Sequence, residues 1–246
     1  MTHPDPRVCR QVIAEVVDSS LGRLHREDQV LARTGGPAGN ARLTAWLGLT
    51  LLALFLGELV TLLDVRGLIS WHIAVGLILI PPSVAKTVST GWRMVRYYLD
   101  SEPYVRAGPP PLLLRMLGPL VILGTTSVLA SGVLLIGLGP AASFRPWFSV
   151  AGHSVSPLTV HQASFIVWAV GTGLHVLARL VPAAQLAAGT QRTDRVPGGV
   201  ARGLTLAVAA VAAAGIAIIV LALSGAWTDG SFQQHRLDRP GQLEGQ

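Results

Sequence analysis

Two stretches decide the reading of this chain: LISWHIAVGLILIPPSVAKTVSTGW over residues 68–92 and PLTVHQASFIVWAVGTGLHVLARL over residues 157–180. Each is long and apolar enough to cross a hydrocarbon core as one helix, which takes about 20 residues. Each also carries two ionisable side chains where lipid admits few. His72 and Lys86 lie fourteen residues apart in the first, and His161 and His175 lie fourteen apart in the second. Fourteen residues make about 3.9 turns and about 21 Å of helix, so the members of each pair share a face at two depths. An ionisable group inside a membrane-length helix marks a functional site by default.

Outward from these two segments the chain repeats the pattern. Its 246 residues are 50% hydrophobic and only 13% charged, a composition of integral membrane proteins. Three further apolar segments run approximately over 44–63, 112–138 and 202–224. The expected fold is all-α, with five transmembrane helices. Trp71 and Trp92 bracket the second helix 21 residues apart, roughly the 30 Å of a hydrocarbon core, and so fall in the interfacial belts. The net charge of +6 comes from arginines flanking the apolar segments. They form no basic face interleaved with aromatics, which argues against a nucleic-acid partner. Cys9 is the sole cysteine, so there is no intrachain disulfide, no Cys-x-x-Cys-His attachment and no iron–sulfur ligand set.

Arginine placement sets the expected orientation. Arg7, Arg10, Arg23, Arg26, Arg33 and Arg42 precede the first helix, Arg93, Arg96, Arg106 and Arg115 fill the second loop, and Arg179, Arg192, Arg195 and Arg202 surround the fourth. The other side has Arg66 and Arg145 in its loops, with Arg236 and Arg239 in the tail. The expected division is a cytosolic amino-terminal tail (1–43) with no features of a cleavable signal peptide, a four-helix core (44–181), a cytosolic loop (182–201), a fifth helix (202–225) and an extracytoplasmic tail (226–246). The membrane expected is the cell inner, or plasma, membrane.

The second and fourth helices run in the same direction because one helix separates them. His72 then faces His161 at the outer depth, and Lys86 faces His175 at the inner depth. Imidazole is an axial ligand to haem iron, and helix bundles build such sites from side chains on facing helices. This points to two haem b groups held without covalent attachment, an outer one by His72 and His161 and an inner one by Lys86 and His175. The competing reading has the histidines merely bonding across helices.

Lys86 is the only lysine beside 18 arginines. As a ligand it must be a neutral amine, which burial permits. Two other readings stand: a cation paired with a haem propionate or a quinone, and a side chain snorkelling past Trp92 to the interface. Arginine does not give up its proton, so a lone lysine suggests a task closed to arginine.

Gly76 one turn after His72, Gly171 ahead of His175, and Gly118 and Gly132 at the same fourteen-residue interval are small residues that let a macrocycle, or simply a neighbouring helix, approach. Pro81 and Pro82 should kink the second helix between its two ligand positions, and Pro109, Pro110 and Pro111 make a stiff loop before the third. Arg93, Arg96 and Arg145 are the candidate propionate partners. Glu58 is expected to reach the interface, and His153 to sit solvated in the outer loop.

With these residues in place the chain resembles the dihaem four-helix core of the cytochrome b superfamily over about residues 44–181. In that family the second and fourth helices carry ligands at this spacing. His72, His161 and His175 match histidine positions, Lys86 stands in place of the fourth histidine, and Gly118 and Gly132 match a glycine pair on the third helix. Gly48 and Gly57 on the first helix do not match the corresponding interval. The resemblance implies electron transfer between the membrane quinone pool and a redox partner protein. By analogy with similar bacterial subunits that partner is an extracytoplasmic oxidoreductase, docked on the loop from Gly139 to Ser156 with Phe144, Trp147 and Phe148. The chain has no Gly-x-Gly-x-x-Gly segment after a strand, so it reads as an electron-transfer subunit and not as a complete enzyme. The alternative is a haem-free transport or assembly protein that uses Lys86, Glu58 and the histidines for proton or ion passage.

The orientation is directly testable. An alkaline phosphatase reporter, active only outside the cytosol, should be active when fused after Gln246 and silent when inserted in the loop 182–201.

Overall fold

The computed structural model describes residues 14, 17, 18, 20–23, 28–109, 112–189 and 196–228. Arg7, Cys9, Arg10, Arg26, Pro110, Pro111, Arg192, Arg195, Arg236 and Arg239 lie outside them. Five helices long and apolar enough to cross a membrane run over Gly36–Asp64, Ile69–Tyr98, Leu114–Ser143, Pro157–Ala188 and Gly199–Leu223. They are called here the first to fifth spans. The remaining described elements are two short helical segments, Glu102–Arg106 and Gly225–Thr228, and a two-stranded hairpin. The protein is therefore an all-α, multi-pass membrane protein, as expected.

Each helix outruns the apolar segment that signals it, because hydropathy marks the hydrocarbon core whereas backbone hydrogen bonding continues into the interface. The first span begins at Gly36, not near residue 44, and the fourth continues to Ala188, past Pro182. Local signals fix the true ends. Ser156 accepts from the Thr159 backbone N–H in a capping box with Pro157 in the first turn, and Gly189 closes the same helix in the left-handed conformation. Gly35 (φ 76°) and Gly198 (φ 82°) start the first and fifth spans. A Cβ on Gly35 would stand 2.7 Å from Val196 Cγ1, and one on Gly198 2.9 Å from the Thr34 carbonyl oxygen. These two turns interlock as only glycines permit.

The second span breaks at Leu79, between Ile69–Ile78 and Ile80–Tyr98, directly ahead of Pro81 and Pro82. Leu79 itself keeps helical angles (φ −66°, ψ −25°) and the Ser83 N–H still bonds the Leu79 carbonyl at 3.1 Å, so the interruption is a local loss of hydrogen bonding where each proline lacks a donor. The third span bends at Gly139 (φ 72°) before Pro140. Beyond it, β1 (Phe148–Val150) pairs antiparallel with β2 (His153–Val155) through Ala151 and Gly152, both at positive φ, the backbone of a two-residue hairpin turn.

Spans one to four close a ring: the first packs on the second and fourth, the third on the fourth, and the second on the third. The second and fourth stand diagonally across it. The closest pair is third with fourth, where a Cβ on Gly124 would lie 3.2 Å from Trp168 Cα and one on Gly171 would lie 3.2 Å from Leu120. Without a hydrophobic drive between helices in lipid, such small residues let backbones approach. Gly171 thus makes room for Leu120 of the third span. Trp168 adds a hydrogen bond from Nε1 to Thr125 Oγ1 (3.2 Å) and an edge contact with Phe55 of the first span.

The fifth span lies outside the ring, against both halves of the second, and buries the stripe Ala209, Ala213 and Ala217. Its continuation at Gly225–Thr228 turns Trp227 inward, 6% exposed, into a core with Ile73, Leu77, Leu135 and Ala217. There the indole Nε1 donates to the Leu135 carbonyl at 3.0 Å. Trp227 therefore fastens the fifth span to the third. Trp227→Ala should lower unfolding stability by about 3 kcal/mol, and Trp227→Phe, which keeps most of the ring volume but removes the indole donor while Ser143 Oγ still reaches the same carbonyl, by about 1 kcal/mol. Denaturation in detergent, followed by circular dichroism, measures both.

Candidate functional site

The histidine face of the second span meets that of the fourth near the hairpin end of the ring. The His72 and His161 rings lie 6.4 Å apart between centroids, with planes at 86°. Both are largely buried, and neighbouring spans hold each from behind. His72 Nδ1 is 2.9 Å from Glu58 Oε1 and 3.0 Å from Thr61 Oγ1. His161 Nδ1 is 2.9 Å from Ser131 Oγ.

A hydroxyl has one proton. Thr61 can give its own to the Glu58 carbonyl oxygen at 2.6 Å, and Ser131 its own to the Ser127 carbonyl oxygen at 2.6 Å. With the hydroxyl protons placed there, each hydroxyl accepts from its histidine and the imidazole proton sits on Nδ1; with a hydroxyl turned toward its histidine, Nδ1 accepts instead. In the first arrangement the other nitrogen of a neutral imidazole, Nε2, holds the lone pair. Among the described residues neither Nε2 makes a hydrogen bond. An Nδ1–H fixed by a carboxylate or hydroxyl with Nε2 left bare is the arrangement in which proteins present histidine to a metal.

Glu58 turns inward onto His72, its side chain 16% exposed. Its Oε2 is buried with no hydrogen-bond partner among the described residues. Gly132 stands beside the second imidazole, where a Cβ would lie 3.3 Å from His161 Cε1, and the Cβ position of Gly76 faces Glu58 Oε1 at 3.6 Å. Both glycines border the pair. The Cβ position of Gly118 meets no atom within 4 Å.

At the arginine-rich end, Lys86 and His175 are also turned into the ring. Lys86 Nζ donates to the Thr44 carbonyl oxygen of the first span at 3.1 Å. It passes over Gly48, whose Cβ position it approaches to 2.9 Å. Asn40 and Thr44 brace the same helix pair through Ser89, with Asn40 Nδ2 2.9 Å from the Ser89 carbonyl oxygen and the two hydroxyls 2.8 Å apart. His175 Nδ1 is buried without a partner among the described residues. Lys86, His175 and Arg179 lie within electrostatic reach of one another.

Of the arginines singled out from sequence, Arg93 pairs with Asp28 at 2.5 Å. Arg96 stacks over Trp92 and Tyr104 at 5.6 and 5.8 Å. Arg145 is exposed beyond the third span, as is His153 in the hairpin. Sequence reasoning missed Thr61, Ser131 and Arg179. Ser131 and Ser127 stand one helical turn apart, a spacing that lets one hydroxyl bond the other's carbonyl. The helix face turned toward His161 is set by packing alone. Arg179 was visible as a charge one turn beyond His175, but the apolar run had been taken to end there.

Among the described residues no three His, Cys, Asp or Glu side chains gather to hold a bare metal ion. Haem iron asks less, since the macrocycle fills four positions and the protein supplies one or two axial ligands. Fold and site define a multi-pass membrane protein with a buried histidine pair across a four-helix ring. No protein-family model, curated protein or solved structure matches the chain.

Histidine tautomers are measurable by ¹⁵N solid-state NMR on metal-free, histidine-labelled protein. His72 and His161 should both appear protonated at Nδ1, and Ser131→Ala, which removes the acceptor, should shift His161 alone toward the Nε2–H form.

Proposed function

We propose that the protein is a membrane b-type cytochrome, an electron-transfer subunit that passes electrons between the quinone pool and a redox partner. The observation that carries this reading is the His72–His161 pair facing across the ring, each Nδ1 within hydrogen-bond reach of a side chain on a flanking span. Haem b, if bound, would be held between His72 and His161 and would supply the redox-active iron there, through its ferric and ferrous states.

The chain's own residues have distinct parts. Glu58 and Thr61 hold His72, and Ser131 holds His161, so each ring's direction is set by the span beside it. Gly76 and Gly132 keep bulk away from the pair. The second position lies at His175, about 21 Å of helix rise further in, so that two haems divide the membrane between them. The sequence reading makes Lys86 the other inner ligand. The bond from Nζ to the Thr44 carbonyl favours a different role, in which His175 is the ligand and Lys86 a cation beside the cofactor. Arg145 and the exposed hairpin aromatics Trp147 and Phe148, at the end nearest His72, suit contact with an extracytoplasmic partner. The arginine-rich end is then cytosolic, in the plasma membrane, as the positive-inside rule requires.

Purified full-length protein, expressed with adequate haem supply, should show a Soret band and a reduced α band of b-type haem. His72→Ala and His161→Ala should each remove the outer haem, halving the pyridine haemochrome yield. Lys86→Arg should leave the reduced spectrum intact if lysine is a cation there, whereas Lys86→Met alters the inner haem in either role. A colourless wild-type preparation sinks the cytochrome reading.

A further inference from the structure

The inner half of the diagonal interface holds a set of hydrogen-bond donors with too few acceptors. On the second span Ser83 and Lys86 stand at i and i+3. On the fourth, Thr172, His175 and Arg179 stand at i, i+3 and i+7. Both spacings keep the residues on one helical face. Ser83 Oγ, Thr172 Oγ1 and His175 Nδ1 are all buried with no hydrogen-bond partner among the described residues. Lys86 Nζ has three donors and one acceptor, the Thr44 carbonyl. Arg179 is half-buried and makes no hydrogen bond or salt bridge among the described residues.

Buried polar groups in folded proteins are almost always satisfied, and charges within membrane spans pair with one another or mark a site. The carboxylates that could neutralise this cluster are too few. Among the described residues, Asp28 is bonded to Arg93 at 2.5 Å and reaches Arg179 only through space, leaving Lys86, Arg93 and Arg179 to share one carboxylate, and Glu58 faces His72 in the other half of the ring. Every orphaned group here can donate, and two carry full positive charge. The complement is a ligand that is negative and purely accepting.

We infer that Ser83, Lys86, Thr172, His175 and Arg179 form a binding site for an oxyanion borne by a membrane-embedded amphiphile. The depth argues for an amphiphile: Lys86 lies six residues inside Trp92, about 9 Å of rise, between apolar walls that a free hydrated ion does not cross. Two sources carry the required chemistry, a propionate of the inner haem and the phosphate of an anionic phospholipid. The propionate source rests on the cytochrome reading; the site itself rests on the unsatisfied donors and stands without it.

The experiment uses the full chain purified in mild detergent. Arg179→Gln and Lys86→Gln are compared with wild type, with Arg179→Lys as the charge-keeping variant and the exposed loop change Arg66→Gln as control. Retained phospholipid is read by native mass spectrometry and phosphorus assay. The carboxylate arm is read by haem stoichiometry after reconstitution with haem b or with its dimethyl ester, in which both carboxylates are blocked. In one arm or the other, each Gln variant should weaken retention about tenfold or more, the loss of one charge-assisted hydrogen bond. Arg179→Lys should recover most of it, and Arg66→Gln should match wild type. Loss of phospholipid identifies the phosphate source. Selective failure of the ester to fill the second haem position, mimicked by the Gln variants with free haem, identifies the propionate. If Arg179→Gln does not fold, Lys86→Gln carries the comparison. Wild-type retention of lipid by the Gln variants, together with equal uptake of haem and its ester, overturns the inference. A colourless protein whose bound phospholipid depends on Arg179 ends the cytochrome reading and keeps this one. A haem-replete protein indifferent to both substitutions and to esterification does the reverse.

Discussion

Hydrocarbon offers no hydrogen bonds, so every polar group inside the bundle must be answered by another part of the protein or by a ligand. That constraint organises the ring. The first span is tied to the second by polar contacts at both ends, through Asn40, Thr44 and Ser89 at the arginine-rich end and through Glu58, Thr61 and His72 at the other. The third is tied to the fourth through Thr125 and Trp168 and through Ser131 and His161. The outward nitrogens of the two central imidazoles are thus satisfied from the flanking helices, and their other edges are left for the interior. The site is a by-product of how the diagonal helices are held.

The two depths of the ring differ in this respect. At the hairpin end each imidazole Nδ1 has a hydroxyl or carboxylate oxygen within 3.0 Å, and among the described residues Glu58 Oε2 is left without a partner. At the arginine-rich end donors outnumber acceptors among the described residues: Lys86 has the Thr44 carbonyl and Arg93 has Asp28, while Ser83 Oγ, Thr172 Oγ1 and His175 Nδ1 have no partner. The same scaffold therefore presents a pre-oriented pair of imidazoles at one level and an excess of positive charge at the other. Both imbalances lie within the membrane, where neither can be relieved by water.

Most of the fold was legible because its dominant signals are local. Apolar length counts helices, the proline pair locates the break at Leu79, and the fourteen-residue interval is a property of helical rise that no tertiary contact alters. The ring of four with a fifth helix outside also follows the expectation drawn from spacing. What escaped sequence reasoning depends on the rotation of one helix against another. Nothing in the local pattern separates Gly171, which admits Leu120, from Gly132, which borders an imidazole. Glu58 lies near a helix end, where the interface is the simpler destination, and only the approach of the second span turns it inward. Helix ends were misplaced for a different reason: Gly35, Ser156 and Gly189 set them, whereas hydropathy reports only lipid contact.

The contact between Trp227 and the Leu135 carbonyl has a temporal side. All four helices of the ring are encoded before the fifth, so during synthesis they can insert and associate while the indole that joins the fifth to the third does not yet exist. The seam between the second and third spans at Leu77 and Leu135 is the part of the ring that the fifth helix and Trp227 later cover. In the finished fold that seam is closed by the last of the five spans to be synthesised.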